Sequence, residues 1–175
     1  EVLTSLPSGP GSEFVVLENG VPRFRKGDVL SSPAGVTIEA TGNGVEAHLG
    51  GRVAGTFWHG PTAPVGFNNG LYIDGTRTIL QGELTLASNV APLAQYTQLI
   101  HVEFLSRNQV MLVARLEDPT RFHPNHYSAM LFEVSDTGAL VSERSLVRGG
   151  DLLPGQTQNV LRLGITSPES SINSS

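Results

Sequence analysis

Titratable side chains gather most densely over residues 115–126, where Arg115, Glu117, Asp118, Arg121, His123 and His126 fall close together. A carboxylic acid working beside a carboxylate is the equipment of glycoside hydrolysis, and two imidazoles three residues apart are the beginning of a metal site. Zinc, however, needs a third ligand and hydrogen-bonded support for its imidazoles. The run His123-Pro124-Asn125-His126 supplies neither at any regular spacing. Neighbours in a strand face opposite sides, so Glu117 and Asp118 share a site only if the strand has already ended. The plainer reading is a strand end whose acids pair with Arg115 and Arg121. A hydrolase using Glu117 or Asp118 with His123 or His126 is the alternative. His101 and Glu103 share a strand face, but a triad also needs a positioned nucleophile, and no serine is singled out. The sequence has no phosphate loop, dinucleotide glycine fingerprint, nucleophile elbow or His-Glu-x-x-His. The expectation is therefore a protein that is not an enzyme, with no catalytic residue, no metal and no cofactor.

Residues 56–72 suit recognition better than conversion. Trp58, His59, Asn68, Asn69 and Tyr72 offer aromatic faces beside amides and an imidazole. Aromatic faces stack on the C–H faces of sugar rings, and amides meet their hydroxyls. These five residues are the candidate ligand site. The competing reading is that Trp58 and Phe67 plug one end of the core.

The elements that must position these groups are strands. Twenty glycines and eleven prolines in 175 residues argue against a helical bundle. Short apolar runs punctuated by Gly, Asn and Asp instead predict an antiparallel β-sandwich or partly closed barrel of about ten short strands, with little helix. Residues 36–40 and 45–49 read as a hairpin around Thr41-Gly42-Asn43-Gly44. Residues 50–75, rich in glycine, read as a packed loop region with one short strand near 52–58. The nearly continuous apolar run 110–116 reads as a central strand covered on both faces. Asp136-Thr137-Gly138 makes a tight turn, and residues 159–165 a last strand. The organisation expected is an N-terminal linker over 1–13, a single β-domain over 14–165, and a disordered Ser-rich tail over 166–175.

Net charge is −5 with one lysine, Lys26, so no cationic cluster exists to hold a phosphate backbone. Nucleic acid is excluded as an expected partner. No apolar run is long enough for a membrane-spanning helix, and membrane insertion is not expected. The absence of cysteine removes disulfides and thiolate chemistry. The chain opens at Glu1 rather than Met, which reads as a fragment or mature segment.

Three stretches in order carry a family likeness. They are Asn19-Gly20 after an apolar strand, then Gly60-Pro61-Thr62-Ala63-Pro64-Val65-Gly66-Phe67, then residues 131–140 with Asp136-Thr137-Gly138 at their turn, followed by Glu143. This order resembles the protruding domain of calicivirus capsid proteins, in a distant or reduced form. The resemblance implies a spike on the virion surface that forms a homodimer or higher homo-oligomer. It also implies exposure to antibodies and to a host-cell glycan or protein receptor, and carries over no catalytic residue. A secreted or phage-tail carbohydrate-binding module is the alternative that the aromatic and amide cluster itself suggests.

Overall fold

The computed structural model describes residues 2–6, 13–18, 20–48, 50–60, 63, 68–121, 125–152, 154–158 and 160. Among them are eleven strands in three antiparallel sheets and no helix. Strands β1 (Val2–Leu6), β2 (Glu13–Glu18) and β3 (Val21–Arg25) form the first sheet. The second contains β4 (Ile38–His48), β5 (Arg52–His59), β6 (Asn69–Ile73) and β7 (Thr76–Leu80), in that order. The third runs β11 (Leu140–Arg148), β10 (Asn125–Val134), β9 (Gln109–Glu117), β8 (Gln95–Ser106). The all-β, sandwich-like class expected from the turn signals is what the chain adopts.

The second sheet is buried on both faces. Ala54, Leu71, Ile73 and Ile79 face the third sheet and join Tyr96, Leu112, Met130 and Phe132 in one core. Val53, Phe57, Tyr72 and Leu80 point the other way and pack with Val16, Phe24, Leu30 and Val36. The two cores cover β5 and β6 on both sides; the apolar run 110–116 is covered on its outward face as well at Val113, though not at Arg115. That run becomes β9, interior to its sheet, with Leu112, Ala114 and Leu116 in the core and Arg115 exposed.

The short strand expected near 52–58 forms as β5, and glycine explains why residues 69–73, expected in the loop region, form a second strand. A Cβ on Gly70 would lie 2.7 Å from the Tyr72 ring and 2.9 Å from Leu80, and one on Gly55 only 2.5 Å from the Phe57 ring. Here the missing side chains make room for rings lying over the strand; they do not break it. Similarly, Gly42 to Gly44 do not turn the chain. Both flanks of that stretch pair with β5, from Ile38↔His59 to His48↔Arg52, with a bulge between Thr41 and Val45. The expected hairpin is one long, bulged edge strand.

The Asp136-Thr137-Gly138 turn forms as read, with Gly138 at φ 87°. Val2–Leu6, placed in a linker on sequence grounds, pairs with β2. His123, the tail from 166 and all of the expected strand 159–165 except Val160 lie outside the described residues.

Two buried charges tie the layers together. Arg52, 3% exposed, donates to Asp74, the Arg107 carbonyl, Asn108 and the Ser135 carbonyl. It thereby joins the β6–β7, β8–β9 and β10–β11 turns at one end. Glu143 accepts from the Thr85 hydroxyl, the Leu86 and Ala87 amides and the Tyr96 phenol.

Candidate functional site

The strand register divides the sequence candidates between two faces of the second sheet. Trp58 pairs with Asn69 directly across β5 and β6, so their side chains stand together on the face that carries Ala54 and Leu71. Trp58 is 40% exposed and Asn69 is fully buried. Thr56 lies two residues along β5 on that same face, and the Gln81 amide donates to the Asn69 carbonyl at 2.8 Å. The Asn69 side-chain amide has no hydrogen-bond partner at either end, and Thr56 Oγ1 and Gln81 Oε1 have none either.

His59 and Tyr72 belong to the opposite face. The Tyr72 hydroxyl donates to the Ser32 carbonyl at 3.0 Å and lies 3.0 Å from His59 Nε2. Burial pushes the Tyr72 phenol well above its usual range, with Arg77 opposing and Glu83 adding to the shift. This pair braces the 28–36 segment against β6, and its polar atoms are engaged with each other and with backbone. Asn68 is exposed just before β6, and its carbonyl accepts from the His59 amide. The five residues therefore do not converge on one site; Trp58 and Asn69 do, joined by Gln81.

The acidic cluster is held by structural bonds. Glu117 pairs with Asn125 and Gln95, and its carboxylate accepts from the Gln95 amide at 3.4 Å. Asp118, buried at the strand end, accepts from both the hydroxyl and the amide of Thr120. Burial disfavours its charge, but the two Thr120 bonds, with His126 and Arg148 nearby, outweigh it and hold the carboxyl below its usual range. Arg121 spans Gly149 and Asp151, and Arg148 reaches Asp118 and Asp151. A groove of about 770 Å³ beside β7 and β11 has Glu143 in its wall. That carboxylate is already met by four donors, and the neighbouring Tyr96 phenol is pushed well up by burial and by the Glu143 charge. Among the described residues no group of three His, Asp or Glu side chains could hold a metal ion.

The outer face of the third sheet carries a second arrangement. Val113, Ala129 and Leu131 point away from both cores yet are only 8%, 9% and 8% exposed. One row across the four strands reads Glu103–Met111–Leu131–Arg144, and the next reads His101–Val113–Ala129–Val147. The first row has an acid at one end, a base at the other and apolar side chains between. Among the described residues neither Glu103 nor Arg144 has an ion-pair partner.

No family model, curated protein or solved structure matches this chain. Sequence reasoning reached Trp58 and Asn69 through their residue types but missed Gln81, whose placement depends on strand register. It also missed the charged row: His101 and Glu103 share a face as read, but which residues of β9, β10 and β11 stand beside Glu103 follows only from strand register.

Proposed function

We propose that this chain is a non-catalytic surface-projection domain that pairs with a second copy of itself through the outer face of the β8–β11 sheet. In this reading it attaches to a host surface and stands on a virion, as the resemblance to calicivirus protruding domains implies. The observation that carries it is the Glu103–Met111–Leu131–Arg144 row. The outer face of an antiparallel sheet is ordinarily polar; this one has Val113, Ala129 and Leu131 at its centre, only 8–9% exposed within the single chain, between the exposed Glu103 and Arg144. Strands lie about 4.8 Å apart, so the two unpaired charges sit about 14 Å apart at opposite ends of the row. Consider a two-fold axis in the face, parallel to the strands and midway between β9 and β10. It lays Glu103 of each copy over Arg144 of the other and Met111 over Leu131. Such an isologous contact is self-complementary in shape and charge. The engaged carboxylates of Asp118 and Glu143 favour display over hydrolysis.

Light scattering over a concentration series tests this. Wild type should approach twice the chain mass of 18.6 kDa, whereas Arg144→Glu, at an exposed residue, should shift towards the mass of one chain with its fold intact. A wild-type mass of one chain at every concentration would rule the pairing out. The alternative of a carbohydrate-binding module is favoured by a separate observation, the exposed Trp58 beside unpartnered amides.

A further inference from the structure

Three buried side-chain polar atoms without partners belong to two residues that face each other across the end of the β6–β7 ladder: both ends of the Asn69 amide, and Gln81 Oε1. A buried polar atom left unpaired is costly, so native folds rarely keep several together. Apolar side chains at these positions would suit the adjoining core better. Beside them stands Trp58, the only tryptophan of the chain, directly across the ladder from Asn69 and 40% exposed.

We infer that Trp58, Asn69 and Gln81 form a binding site for a neutral pyranose ring. The side-by-side donor and acceptor of one amide match two adjacent sugar hydroxyls. Gln81 Oε1 extends the same polar row, and the indole face accepts the C–H face of the ring. None of these three side chains is ionisable, so the site favours uncharged sugars over sialylated or sulfated ones. Asn69 has no exposed surface, so the ring reaches its amide when neighbouring side chains move, Trp58 being the exposed one. The inference deepens the attachment part of the function proposed above. It rests on residues of the second sheet, separate from the pairing face.

Because Trp58 is the only tryptophan, its emission reports on this site alone. Wild type is titrated with lactose, maltotriose, cellotriose and, as the charged comparison, sialyllactose. At least one neutral saccharide should shift the emission saturably with a dissociation constant of about 0.1–10 mM. Asn69→Leu should weaken that binding at least about tenfold while raising the melting temperature, since it removes a buried unpartnered amide. Gln81→Leu, at the turn after β7, should weaken the same saccharide and serves if Asn69→Leu does not fold. Emission unmoved by all three neutral sugars, a response to sialyllactose alone, or unchanged binding by both variants would overturn the site. Lost binding with unchanged mass in light scattering separates this site from the pairing face.

Discussion

The guanidinium of Arg52 donates to Asp74 at 2.8 Å, and the second oxygen of that carboxylate accepts the Val53 amide at 2.8 Å. The pair closes the β6–β7 turn onto β5, while the rest of the guanidinium holds turns of the third sheet. One buried cation thus fixes the relation of two layers.

Removing it leaves two backbone carbonyls and a carboxylate without their donor. Arg52→Ala should therefore cost about 3–5 kcal/mol, read as a lower urea midpoint with an unchanged slope. A loss below about 1 kcal/mol, the worth of an exposed pair, would show that the knot carries little.

Tyr72 gives a prediction in pH. Its folded-state pKa is raised by burial, so its contribution is complete below the unfolded value of about 10. It is lost as the pH rises beyond that value, where the unfolded chain releases the proton first. Tyr72→Phe should cost about 1–3 kcal/mol at neutral pH through its lost bonds. It should also flatten the decline of stability above about pH 10. Equal alkaline slopes in the two proteins would contradict the buried phenol.

At Gly70 any side chain meets Tyr72, Leu80 and, at 3.1 Å, His59 Nε2. Gly70→Ala should cost about 1–3 kcal/mol by overpacking, measured by chemical denaturation. An unchanged or higher stability would show that the glycine is not there to admit the rings.

Much of the fold was legible because turns announce themselves locally. Asp136-Thr137-Gly138 fixes the β10–β11 hairpin, and residues 109–117 read as a strand from their apolar run. Around Gly42 and Gly70 the same local reading misled. A glycine that bends a chain and one that clears space for a ring look alike until the partner strand is known. Asn69 followed the same logic. Its type suggested a contact with ligand, but its burial and its place beside Trp58 follow from register, which only the paired strands set. On the third sheet His101 and Glu103 were legible as one face, but a bulge after Leu99 sends that leucine to the core instead, and the partners of Glu103 depend on register.

The pairing of two copies is tested most directly by exchanging the charges at the ends of its central row. Sedimentation equilibrium would compare wild type with Glu103→Arg, Arg144→Glu and the double variant. Each single change sets like charges against each other at two places in the dimer and should weaken association about tenfold or more. The double variant restores opposite charges and should recover association to near the wild-type constant. A double variant as weak as either single one, or four proteins with the same association constant, would contradict the two-fold contact.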